Sequence, residues 1–258
     1  MSALFTRTMK LPDDPKPGTK DPLITLNRKE ELLQMCLAAT AGYIDAFGLM
    51  KFKTYLSFMS GNTTQSGSLL AKGNFGGMAL AATAIVSFTA GIILGNLIKH
   101  LNGYQERWMG YMVVAGGLLS YLIADRSCGI ATVPAVAILA LSVGLMNTLA
   151  GKVGRQAVNP DFVTGTLTNM AWHWADAMLS TYPSDSEGTW DTHKRRAALL
   201  LMIWLCFIAG AMLATVAFSS MGTWAMTVPI VGLLLIPVQK FNQGGNLLRA
   251  TGSLRIIL

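Results

Sequence analysis

Six long blocks with almost no charge dominate this chain: Leu32–Met50, Gly77–Ile98, Trp108–Ala124, Ala131–Gly151, Ala197–Phe218 and Thr223–Val238. Each approaches the roughly 17–25 residues that a helix needs to cross a bilayer. Backbone polar groups in hydrocarbon must be satisfied within the segment itself, so such blocks fold as helices. A soluble domain carries about 25% charged residues, whereas this chain has 13% charged and 52% hydrophobic residues. The expected class is an all-α polytopic membrane protein with about six transmembrane helices.

The flanks read differently. Residues 1–26 hold Pro12, Pro15, Pro17 and Pro22 among charges and lack the apolar stretch of a signal peptide. They are expected to form a disordered cytoplasmic tail, and residues 240–258 a basic one. Asn27 followed by Glu30 reads as a capping box opening the first helix. Cys36, Cys128 and Cys206 form no CxxC or Cys/His cluster. No disulfide, metal site or cofactor is therefore read from the sequence.

The net charge of +7 is explained by topology. With six crossings and both termini inside, sixteen Lys and Arg fall on the inner side, and only Lys51, Lys53, Lys72 and Arg126 fall outside. That division follows the positive-inside rule and predicts a multi-pass inner-membrane protein with both termini cytoplasmic. No nucleic-acid motif accompanies the basic residues.

The chain also repeats itself. Gly42 and Asp45 match Gly144 and Asn147 at a shift of 102 residues, and Phe58, Gly61 and Thr64 match Phe162, Gly165 and Thr168 at 104. Phe88-Thr89-Ala90-Gly91 matches Phe207-Ile208-Ala209-Gly210 at 119, and Gly117-Leu118-Leu119 matches Gly232-Leu233-Leu234 at 115. Most of the extra residues fall in the polar loop Tyr182–Arg196. The reading is two membrane units, 27–126 and 127–239. Three crossings per unit is an odd number, which inverts the second relative to the first. Counting Lys53–Leu70 and Val158–Ser180 as full crossings gives four segments per half and parallel repeats instead.

Each half contains a hydroxyl-rich break, Ser57–Thr64 and Asp161–Thr168. Irregular backbone at membrane depth survives only where protein or a cavity covers it, so each break is expected to be a broken or re-entrant polar segment. A helix starting within each break points free amides and a positive dipole end inward, which favours an anion or a polar solute. The expected substrate-binding residues are Gly61, Asn62, Thr63 and Thr64 with Thr164, Gly165, Thr166 and Thr168. Asp45, a carboxylate inside the first block, and its neutral counterpart Asn147 are the expected coupling or gating pair. The alternative for Asp45 is a place near the helix end, within reach of Lys51 or Lys53. Trp172-His173-Trp174 reads as an interfacial belt, with His173 a solvated or packing residue.

The elements Ala41-Gly42-Tyr43-Ile44-Asp45-Ala46 and Ser57-Phe58-Met59-Ser60-Gly61-Asn62-Thr63-Thr64 resemble those of the YoaK-like bacterial membrane proteins, over roughly residues 33–239. The resemblance implies an inner-membrane protein of about six spans and carries no established activity. The broken segments are also similar to the strand-plus-half-helix elements of sulfate-permease-type and nucleobase carriers, an analogy of fold alone.

These features lead to the expectation of a secondary transporter, not an enzyme, moving a small anionic or polar organic solute, with proton coupling or gating at Asp45. Its site would lie between two helix N-termini near the bilayer midplane. The expected partners are the solute and the lipid bilayer; the Gly-rich helices permit a homodimer without requiring one. The alternative is a non-catalytic membrane sensor or partner-binding protein. An intramembrane enzyme acting on lipids, using Asp45, Asp161 and His173, is the weakest reading, since HExxH and G-x-S-x-G are both missing.

Overall fold

The computed structural model describes residues 22–101, 107–149, 151–153, 155–159 and 161–235. The described parts of the six apolar blocks fall mostly on helices, and among the described residues the one sheet is a small hairpin. Helix α1 spans Pro22–Phe52, α2 Met59–Ala71, α3 Phe75–Leu101, α4 Arg107–Cys128 and α5 Thr132–Asn147. The hairpin pairs β1 (Lys152–Val153) with β2 (Gln156–Ala157), and α6 (Val163–Met178) and α7 (His193–Met221) follow. A 3-10 turn, Gly222–Met226, then leads into a last helical stretch over residues 227–235. Stretches within α1, within α3 and from α7 onward are long and apolar enough to cross a membrane; α5 is a shorter apolar helix.

Two boundaries differ from expectation. The capping box at Asn27 opens no helix, because α1 already runs from Pro22. Proline suits a first helical turn, where its missing N–H has no partner to lose. The expected N-terminal tail therefore ends before Pro22, and the rest of it, like residues 240–258, lies outside the described residues. The division after Arg126 falls in the last turn of α4, and the chain turns instead at Gly129, whose φ of 63° suits glycine.

Side-chain contacts fix the helix directions. Phe47 stacks edge-on to Tyr121 and Lys51 pairs with Asp125 at 2.7 Å, so α1 and α4 run parallel. Glu31 meets Arg195 at 2.6 Å and Phe47 meets Phe218, so α7 runs with them. Gly117 packs on Ser142 and Gly110 on Leu149, which makes α5 antiparallel to α4. Gly91 packs on Leu141 and Gly95 on Thr148, so α3 runs with α5.

The two closest helix pairs cross the halves. A Cβ on Gly42 would overlap the Phe207 carbonyl oxygen, and one on Gly210 would overlap that of Ala39. In the other pair, Gly144 lies on the Phe88 carbonyl and Gly91 on that of Leu141. The glycines at matching sequence positions thus make matching contacts: α1 on α7, and α5 on α3. Only glycine allows two backbones to come this close.

One polar cluster pins the start of α7. Arg196 donates to both oxygens of Asp191, at 2.8 and 2.7 Å, and to Asp185 at 3.0 Å. Burial pushes the Asp191 carboxyl up, but the bonded Arg196 guanidinium outweighs it and holds the group below the usual carboxylate range. Such a group stabilises the fold above its unfolded pKa of about 4, and that contribution is lost as pH falls through the lower folded value. Asp191→Ala leaves the arginine buried and is expected to cost about 3–5 kcal/mol. Thermal melts at neutral pH check this. Melts from pH 5 to 3 should show a shallower decline in the variant than in the parent.

Candidate functional site

The first break folds back along the helix that precedes it. After α1 ends at Phe52, Lys53 adopts a left-handed φ of 59° and the chain reverses direction. Asp45 Oδ1 then accepts hydrogen bonds from the backbone amides of Leu56 and Ser57, both at 2.7 Å. Asp45 lies seven residues before the end of α1, so the break descends about 10 Å beside that helix. From there α2 turns back towards the start of α3, where the Asn74 amide donates to Leu69 at 2.9 Å.

The second break copies the first. Phe162 precedes α6 with φ −91° and ψ 70°, against −80° and 74° for Phe58 before α2. Neither residue caps its helix with a side chain. Each ring instead lies over the glycine three residues on, Gly61 or Gly165, where a Cβ would strike it. These two glycines are required for packing.

The helix starts share a cavity of about 280 Å³. Ser57, Phe58, Met59 and Ser60 line it from the first break, and Asn159, Asp161, Phe162, Val163 and Thr164 from the second. Phe88 of α3 and Asn147 of α5 complete the wall, at the level of the glycine crossings. Asp161 is 9% exposed and its Oδ1 has no hydrogen-bond partner. No lysine or arginine is among the lining residues. The cavity therefore combines two helix starts without side-chain caps, three aromatic rings and the side of Asp161, whose Oδ1 itself is closed off behind the wall.

Of the residues expected to bind solute, Thr164 lines this cavity, and so does Asn147 of the expected coupling pair; the others do not. Asn62 is fully buried, and its amide is committed to the descending strand. Its Oδ1 accepts from the Thr54 hydroxyl and the Tyr55 amide, both at 3.2 Å, and its Nδ2 donates to the Tyr55 carbonyl at 2.8 Å. The Thr63, Thr64, Thr166 and Thr168 hydroxyls each donate to the carbonyl four residues back. This is the usual fate of threonine inside a helix. The wall of a helix start is made by residues at and before its first turn, which is why Ser57, Ser60, Asn159 and Asp161 line it. Phe88 comes from another element and gave no local signal.

Asp45 is an anchor in this geometry, and Lys51 does not reach it. Lys51 donates instead to Asp125 and to the Thr223 hydroxyl at 2.8 Å. Asp45→Asn keeps the accepting oxygen and should change thermal stability by less than about 1 kcal/mol, whereas Asp45→Ala strands two buried amides and should cost about 2–4 kcal/mol. Comparing the two melts separates anchoring from a role for the charge. Asn62→Ala should likewise cost about 1–3 kcal/mol.

Fold and site together define an α-helical protein with three stretches long and apolar enough to cross a membrane and a partly open cavity at the starts of α2 and α6. Residues 33–238 match a family described as "Protein of unknown function (DUF1275)", and the chain belongs to that family. No curated protein matches the chain, and no solved structure matches it.

Proposed function

We propose that the protein is a secondary carrier for a small polar organic solute, built from six crossings in two inverted halves. The observation that carries this reading is the cavity at the starts of α2 and α6, neither capped by a side chain, with the nine-tenths buried Asp161 among its lining residues. The opposed directions of α1 and α5 support inversion, as does the matching of the glycine contacts between halves. Break and half-helix in each half enter and leave on the same face, one half from each side. That is the plan of carriers whose site lies at the repeat interface.

The cavity narrows the solute class. The positive dipole ends of two helices favour an acceptor edge, and the Asp161 carboxyl favours a donor. A neutral solute with both a donor and an acceptor edge meets both demands. A simple anion would face the Asp161 carboxylate without a compensating cation. The Phe58, Phe88 and Phe162 rings provide apolar walls for a compact or planar body. Asp161 is the coupling group in this reading, binding a proton on one side and releasing it on the other. Asp45 holds the break in position.

The test is thermal unfolding of the detergent-purified protein against neutral amides, nucleobases, carboxylates, inorganic anions and amines, at two pH values. A ligand of the native state raises the melting temperature. The expected hit is a neutral donor–acceptor solute whose effect disappears in Thr164→Val. In proteoliposomes the same solute should accumulate under an inward proton gradient. A broad panel without any stabilising ligand, together with no saturable flux, would sink the proposal.

A further inference from the structure

The chain holds three histidines, and two of them meet. His173 of α6 and His193 at the start of α7 place their Nδ1 atoms 2.8 Å apart. Asp176, one turn beyond His173 on α6, brings Oδ2 to 3.7 Å from His193 Nδ1. The three possible ligand atoms all lie within 4.8 Å of one another. We propose that His173, His193 and Asp176 form a binding site for a divalent transition ion of the zinc type, about two and a half turns along α6 from its cavity-lining start.

The surrounding bonds prepare the ligands. Gln156 Nε2 donates to the Ala157 carbonyl at 3.0 Å, which turns Gln156 Oε1 towards His173. His173 Nε2 therefore donates to that oxygen at 2.7 Å, leaving Nδ1 with its lone pair free to bind. A second-shell acceptor on the outer imidazole nitrogen is the usual support of a metal-bound histidine. Without metal, His193 Nδ1–H donates to His173 Nδ1. When the ion enters, the His193 proton moves through water from Nδ1 to Nε2, and both Nδ1 lone pairs face the ion.

The required movement is small. Zinc–nitrogen bonds of about 2.0–2.1 Å at a tetrahedral angle place two nitrogens about 3.3 Å apart. The rings must separate by about 0.5 Å, and the half-exposed Asp176 side chain must swing in by up to about 1.5 Å to reach the ion beside both rings. Two imidazoles and one carboxylate leave one position for water. Imidazole with carboxylate suits zinc or a neighbouring first-row ion better than magnesium or calcium, which favour all-oxygen shells. The nearby Arg196 does not repel the ion as a free cation would, since Asp191 and Asp185 balance it.

The sequence gives little sign of this site, because twenty positions and a polar loop separate the two histidines. Its effect is mechanical: the ion would tie α6, whose start lines the cavity, to the first turn of α7.

The test uses the full chain, purified in metal-free detergent with any affinity tag removed, titrated with Zn²⁺ against a chromophoric chelator. The expected result is one ion per chain, with Mg²⁺ unable to compete. Binding should fall at least a hundredfold in His173→Gln/His193→Gln. Gln156→Ala, which leaves all three ligands, should weaken it by about 10–100-fold. X-ray absorption of the zinc-loaded wild type should show two imidazoles, a readout independent of whether the double variant folds. Absence of saturable zinc binding, equal binding by the folded double variant, or fewer than two imidazoles would each overturn the site.

Discussion

Asp161→Asn is expected to weaken solute binding by about 10–100-fold, the usual worth of a hydrogen bond to a charged group, and to abolish proton-driven accumulation. The same variant should melt at the same temperature as the parent or higher. Asp161 is nine-tenths buried with one oxygen unpartnered, and a buried charge without compensation opposes folding. Asparagine keeps the size and the accepting oxygen while removing the charge. A residue kept for structure would lose stability on substitution; one kept for binding loses function and gains stability. Thermal melts with and without the solute, beside flux in proteoliposomes, read both arms. Unchanged binding and flux in the folded variant would remove Asp161 from the mechanism.

The second large effect concerns the crossings. Gly42→Val and Gly144→Val should each cost about 3 kcal/mol or more and yield little folded protein. Their new Cβ atoms would fall on the main-chain carbonyls of Phe207 and Phe88. A crowded side chain can rotate away, but a crowded backbone forces the helices apart, so the penalty exceeds that of ordinary overpacking. Gly116→Ala is the control. It sits in α4 with open space where the methyl would go, and alanine favours a helix by about 1 kcal/mol over glycine. Size-exclusion profiles and melts of the three variants decide the matter. A well-folded Gly144→Val protein would mean that α3 and α5 tolerate a wider spacing than their packing implies.

Much of the helical framework was legible because the apolar blocks are long and the bilayer length is fixed. The matched pairs Gly42/Gly144 and Phe58/Phe162 were legible because each answers a local demand, a close approach or a ring over a glycine. The site was harder to read. Asn62, Thr63, Thr64, Thr166 and Thr168 had the right chemistry for a ligand, but Asn62 is spent on Thr54 and Tyr55 of the break and the four threonines on carbonyls one turn back. Asp45 was marked as special by its setting, yet its partners are the amides of Leu56 and Ser57, found only when the chain folds back. Pro22 opened a helix that Asn27 was expected to open, because both carry start signals and the earlier one prevailed. His173 and His193 became neighbours across a loop whose path no local pattern specifies.

The crosswise pairing of helices also sets an order for biosynthesis. Leu141, which receives Gly91 of α3, is fifty residues further along the chain, whereas Phe207, which receives Gly42 of α1, follows after 165. At about 5–20 residues per second, α1 waits roughly ten to thirty seconds for α7. The α3–α5 pair therefore assembles first, as a nascent core on the ribosome. Until α7 is made, the groove at Gly42 of α1 has no α7 backbone to cover it.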